Sequence, residues 1–272
     1  MRKVIGIGIA ALIATPAIAA DMAVKAPPPA PATILSWTGF YFGANAGGGW
    51  ANTDWQDNHN STCVGNGAFN VASCDIPQRL SSFVGGGQVG ARWQTGQWVL
   101  GIEGTADFAN FSSTIIDPVS AAGGATTLTD TTKLRGLYTA TVQAGIAWDR
   151  ELWYVKGGWA GSWLTRDTLV NLPGLGTVEG GPVSQHANGW TIGTGLEYRL
   201  TSWPNFSIGL EYDYIHLNAG NVATCVTTTG TIGSIFCGGG PGSTQPLLYN
   251  NFHADVNEVL ARANYTFNWG AR

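Results

Sequence analysis

Residues 189–217 read GWTIGTGLEYRL, TSWPN and FSIGLEYDYIHL in succession, two arms around a turn. In the first arm Trp190, Ile192, Leu196, Tyr198 and Leu200 share a side with Thr194, opposite Thr191, Gly193, Gly195, Glu197 and Arg199. In the second, Phe206, Ile208, Leu210, Tyr212 and Tyr214 oppose Ser207, Gly209, Glu211 and Asp213. Strand side chains alternate with period two, so these are the two faces of a sheet. One face is apolar and aromatic. The other is small and ionic, with too much glycine and too little charge for a face washed by bulk water. That contrast fits a membrane barrel, with lipid outside and a crowded polar interior.

The same alternation recurs in six more segments, at about 37–50, 80–94, 98–111, 133–148, 152–165 and 256–269. Taking the apolar residues alone as the outward face sends Phe40 and Phe42 out in the first segment, with Tyr41 and Asn45 inward. Phe83 and Trp93 go out in the second, with Arg92 inward, and Trp98 and Phe108 go out in the third, with Glu103 and Asp107 inward. Leu134, Tyr138 and Val142 go out in the fourth, with Arg135 inward, and Trp153, Trp159 and Trp163 go out in the fifth, with Lys156 inward. Val259 and Tyr265 go out in the last, with Glu258 and Arg262 inward. Five segments carry two charges each, and both charges always oppose the apolar face; chance gives ~1 in 32 for that agreement. The cause is energetic, since Lys or Arg facing mid-bilayer lipid costs about 2–4 kcal/mol. Asp255 has the outward parity and is expected at the rim.

Gaps after the second, fourth and sixth segments are short, and the other gaps are long and rich in Thr, Gly, Asn and Pro. The expected fold is therefore all-β, an eight-stranded antiparallel up-and-down transmembrane β-barrel with short periplasmic turns and four long extracellular loops. The aromatics form two belts, with Trp37, Trp93, Trp98, Trp148, Trp153, Phe206 and Phe267 near the periplasmic ends. Trp50, Phe83, Phe108, Trp163, Trp190 and Tyr214 sit near the outer ends.

The totals agree with this reading. Charged residues are 11% of the 272, Gly is 39, and the net charge is −4. No basic block points to nucleic acid. Arg2 and Lys3, the apolar run from Val4 to Ala14 and the small residues Ala17-Ile18-Ala19 read as an export signal over residues 1–20. Residues 21–36, with APPPAPA, read as a Pro-rich periplasmic tether, and 37–272 as the barrel. Both termini are expected in the periplasm. Cys63, Cys74, Cys225 and Cys237 pass to an oxidising space. Local pairs, Cys63 with Cys74 and Cys225 with Cys237, are favoured over cross-loop pairing or free thiols.

Gly85-Gly86-Gly87-Gln88-Val89-Gly90 matches a dinucleotide fingerprint but sits inside a strand with no helix after it, so close packing explains it better. The inward set Arg92, Arg135, Lys156, Arg199 and Arg262 against Glu103, Asp107, Glu197, Glu211, Asp213 and Glu258 reads as an ion-paired plug rather than a pore lining, since eight strands leave a lumen that side chains fill. His186, His216 and His253 gather near the outer ends without metal-ligand spacing. Ser184, Asp213 and His216 form no motif, so no enzyme activity and no cofactor is expected.

WTGFYFGANAGGGW, residues 189–217 and the closing VLARANYTFNW resemble the alphaproteobacterial outer-membrane β-barrel family, whose members are called outer-membrane immunogenic or opacity-type proteins, or loosely porin-family proteins. The resemblance covers the leader, the tether and the strands, but not the long loops. It implies a surface-exposed envelope component in contact with outer-membrane lipid and lipopolysaccharide. Family chains end on an aromatic read by barrel-insertion machinery. Here Phe267 is followed by Asn268-Trp269-Gly270-Ala271-Arg272, which makes Phe267 or Trp269 the substitute. Some relatives are joined to peptidoglycan at an Ala-Asp start such as Ala20-Asp21, and some are described as haem-binding. A narrow channel and a surface ligand or host-adhesion receptor stand as alternative functions.

Overall fold

A computed structural model describes residues 35–57, 69–70, 78–121, 124–172, 176–179, 182–223 and 249–268. The export signal, the four cysteines, His59, Trp269 and most of the tether lie outside the described residues. Eight long strands carry the fold: β1 (Gly39–Asp57), β2 (Gln78–Thr95), β3 (Trp98–Ala121), β4 (Gly124–Trp148), β5 (Glu151–Leu172), β6 (Val183–Arg199), β7 (Phe206–Ala223) and β8 (Tyr249–Phe267). Each pairs antiparallel with its neighbours in sequence, and β8 pairs with β1, so the sheet closes. Closure removes both sheet edges, which is what allows strands to stand in lipid. Two short segments, Phe69–Asn70 and Gly176–Glu179, add to the far ends of β3 and β5.

The turns are tight where the sequence is glycine- or aspartate-marked. Gly96, between β2 and β3, has φ 61°, and Asp149, between β4 and β5, has φ 53°. Both conformations suit these residue types. Each short turn is also held by a neighbouring strand: Ala147 donates its backbone N–H to Gln97, Arg199 to Arg150, and Thr266 to Asn205, at 2.7–2.8 Å.

The strands run further than the sequence contrast alone indicates. β3 continues to Ala121 and β4 begins at Gly124, with those two residues paired, so most of the expected loop between them is hairpin. The reason is that SSTII and TTLTDTT are β-branched and extended without a strong difference between their faces. Alternation disappears there while strand propensity remains.

The outer face is apolar along the strands. Phe83 is 71% exposed, Leu100 61%, Val142 65% and Phe108 86%. Trp93, Trp98, Trp148, Trp153, Phe206 and Phe267 ring the short-turn end, and Trp50, Trp163 and Trp190 the other. Trp37 departs from that belt: it is 1% exposed and lies inside the barrel mouth. It precedes β1 with the same parity as Tyr41, so it follows the chain inward instead of joining the girdle. Two further departures share one cause. Leu134 is fully buried inside, while Lys133 and Arg135 turn to the outer side, with Arg135 exposed. A bulge at Gly136, φ 67°, shifts the pairing between Arg135 and Leu137 and inverts the alternation above it. An extra residue in one strand of a ladder does this whenever it is accommodated as a bulge. Both cations sit at the long-loop end, where the lipid penalty is small.

Candidate functional site

The lumen is filled in layers. Nearest the short turns, Arg92 donates from Nη2 and Nη1 to the two oxygens of Glu197 at 2.6 and 3.0 Å, and from Nε to Gln143 at 3.2 Å. Ser207 adds a bond to Glu197 at 2.9 Å. The Arg92 guanidinium lies 4.2 Å from the Tyr41 ring centroid and 5.3 Å from that of Tyr154. Trp37, Val99, Ala147, Leu152 and Tyr154 pack around this end, and Arg199 lies over Trp37 at 4.4 Å.

The next layer is a network centred on Arg262, which bonds both Glu103 and Glu211. Tyr41 donates to Glu103 at 2.7 Å, and Arg262 donates to the Tyr154 hydroxyl at 2.9 Å. Lys156 reaches Glu211 at 2.8 Å, Asp213 at 3.0 Å and Glu103 at 3.7 Å. Above it, Asn45 donates to Asp107 at 2.7 Å and to Gln88 at 3.1 Å, and Gln88 donates to Asn264 at 2.7 Å. Glu258 faces Asp213 directly across the β7–β8 ladder. One oxygen of each is buried without a hydrogen bond among the described residues. These partners come from six strands, so the network ties the barrel across its diameter.

Glycines make room for it. A side chain on Gly90 would come within 2.5 Å of the Tyr41 hydroxyl, and one on Gly195 would overlap the Tyr154 ring. Gly86 is pressed against Asp107 and the carbonyl of Ala106. The glycine run of β2 is thus a packing device inside a sheet.

The third layer has no counterpart in the sequence reading. Val84, Phe111, Leu134, Leu137, Leu164, Ile215, Leu217, Phe252, Val256 and Leu260 form one buried apolar cluster with several alanines on the long-loop side of the charges. Beyond it Arg166 and Asp130 pair, both buried. That pair also escaped the sequence reading, because both residues lie past the segment ends drawn from apolar contrast.

Ten of the eleven inward charges thus point into the lumen, and Arg135 is the one that does not. Four cations, Arg92, Lys156, Arg199 and Arg262, face six carboxyl groups there. Ser184 and His216 are on the outer side while Asp213 is buried within, so these three are not brought together. Asp255 lies on the outer side near the rim, accepting from Tyr214 at 2.7 Å and paired with His216 at 2.8 Å. His253 stacks on His216 at 6.1 Å, whereas His186 lies against Trp163 and bonds Tyr138 at 3.0 Å.

Comparison with known proteins identifies the family of this chain. The chain is 32% identical over 236 residues, 82% of its length, to the 31 kDa outer-membrane immunogenic protein of Brucella melitensis, covering 90% of that protein. The protein of the same description from Brucella suis matches equally. Among solved structures, the outer membrane protein OprG of Pseudomonas aeruginosa aligns over 87% of this chain and all of its own, at 12% identity and a TM-score of 0.34. Residues 10–233 match the profile of the outer membrane protein beta-barrel domain. With that match and those relatives, the chain belongs to the outer membrane protein beta-barrel domain family.

Proposed function

We propose that this protein is a structural and surface-exposed component of the outer membrane whose lumen does not conduct. In this reading the short turns and both termini face the periplasm, and the long loops face outward. The observation that carries it is the apolar cluster stacked on the ion-paired layers. An eight-stranded barrel is barely wide enough for its own side chains, and a dry apolar layer gives a hydrated ion no path. Envelope lipid and lipopolysaccharide meet the aromatic girdles, Phe267 or Trp269 serves the insertion machinery, and the N-terminal tether offers a junction to peptidoglycan. The Brucella relatives' description as immunogenic fits outward loops.

Single-channel recording of refolded protein in planar bilayers tests the closed lumen. Small or absent conductance is expected, and a stable, large, open level overturns it. A second reading, ligand capture at the surface, is favoured by one observation: β3, β4 and β5 continue beyond the apolar belt as paired strands. Binding of candidate ligands to cells displaying the protein, with and without residues 112–132, separates the two readings.

A further inference from the structure

The short-turn mouth of the lumen gathers hydrogen-bond donors that have no acceptor. Arg199, the last residue of β6, is 1% exposed. Its Nε and Nη2 are buried and unpartnered among the described residues, and so is the indole Nε1 of Trp37, whose ring lies beneath it. Glu197 does not answer this demand. Arg92 takes both its oxygens and Ser207 adds a third bond, so Arg92 and Glu197 neutralise each other. Arg150 lies at the same mouth, between Asp149 and Glu151 in the turn: its carbonyl accepts from Arg199 at 2.8 Å, and its guanidinium donates to Leu200 at 3.4 Å. Deeper in the lumen Asp213 and Glu258 leave carboxylate oxygens unmet, alongside unmet donors of Arg262 and Asn264.

A buried guanidinium is tolerated when an anion and good hydrogen bonds accompany it. Among the described residues no carboxylate pairs with Arg199. The two free groups, Nε and Nη2, are neighbours on one edge of the planar guanidinium. That edge presents two parallel N–H bonds, the geometry that matches two oxygens of one oxyanion and not a spherical halide. Val99, Ala147 and Leu152 cluster with Trp37 beneath it, and low polarity nearby strengthens the attraction.

We propose that the short-turn mouth of the lumen is an oxyanion-binding site, in which Arg199 and the indole N–H of Trp37 hold a phosphate or carboxylate group that enters from the short-turn side. The site lies below the ionic layers, so it stands whether or not the lumen conducts. Phosphate and carboxylate share this chemistry, and titration separates them.

Refolded full-length protein in zwitterionic detergent is titrated calorimetrically with inorganic phosphate, with acetate and with chloride, each alone. Saturable one-to-one binding of phosphate or acetate is expected, about tenfold or more tighter than chloride. The tighter of the two names the ligand class. Arg199→Gln lowers that affinity about tenfold or more, Trp37→Phe lowers it a few-fold, and Arg135→Gln on the outer face leaves it unchanged. Heat-dependent gel mobility checks that each variant is a folded barrel. Absence of saturable binding for both oxyanions, chloride binding as tightly, or unaltered affinity in Arg199→Gln overturns the site. If Arg199→Gln does not fold, Trp37→Phe decides, since unaltered affinity there removes the indole from the site and overturns the proposal.

Discussion

The two halves of the lumen are packed by different physics. Toward the short turns, the packing rests on a few charges bound to one another: Arg262 bonds both Glu103 and Glu211. Toward the long loops, the packing rests mainly on many apolar contacts, none of which depends on a single partner. The ionic half is therefore brittle. Removing one member strands the others in a medium that cannot solvate them. The apolar half is graded, because each lost methylene costs only its own burial and cavity. What the comparison teaches is that a lumen can be filled equally well by either chemistry but tolerates change very differently.

The largest break comes from the ionic half. Arg262→Met leaves two buried glutamates without their shared guanidinium and is expected to cost about 3–5 kcal/mol of stability, read from urea unfolding in lipid vesicles. Adding Glu103→Gln to that variant should recover part of the loss, because the stranded charge goes with it. Purely additive effects would count against the coupled network.

The apolar half gives the next effect. Leu164→Ala should cost about 2–4 kcal/mol by the same measurement, and Leu164→Met under about 1.5 kcal/mol. A conservative swap as harmful as the truncation would show that the cluster depends on one fit, as the charges do.

At the boundary stands Gly136. Gly136→Ala places a β-carbon at φ 67° and should cost about 1–2 kcal/mol. Deleting the residue removes the bulge. A cysteine at position 135 should then lose its reactivity to a water-soluble thiol reagent, which it shows when Gly136 is present. The smallest effect belongs to the outer side, where Arg135→Gln should change stability by less than about 0.5 kcal/mol.

Much of this was legible in the residues. Strand number, the short turns, and the facing of Arg92, Glu103, Lys156, Glu211 and Arg262 all follow from period-two alternation beside lipid. The inversion at Lys133 and Arg135 had one signal, an isolated glycine within a strand, where Leu134 and Leu137 stand three apart yet are both apolar; glycine at such a place marks a bulge. Trp37 had a signal too, since its parity matches Tyr41, but an aromatic at a strand end is so commonly a belt residue that the side it takes follows only from what surrounds it. Strand ends beyond the belt left no trace in hydropathy, because their inward face is itself polar there, with Asp130, Thr132 and Arg166 buried.

By itself, then, the sequence determined which side of each strand is greasy and which is ionic, because lipid penalises a charge at any mid-membrane position whatever its partners. The tertiary structure decided who meets whom. Arg262 and Glu103 stand 159 residues apart and Arg92 and Glu197 105 apart, and alternation places each on the inner face without saying at what height. Height comes from the stagger between neighbouring strands and from the bulge at Gly136. Only after the sheet closes do those heights bring one arginine between two glutamates and leave another over a tryptophan with its donors unmet.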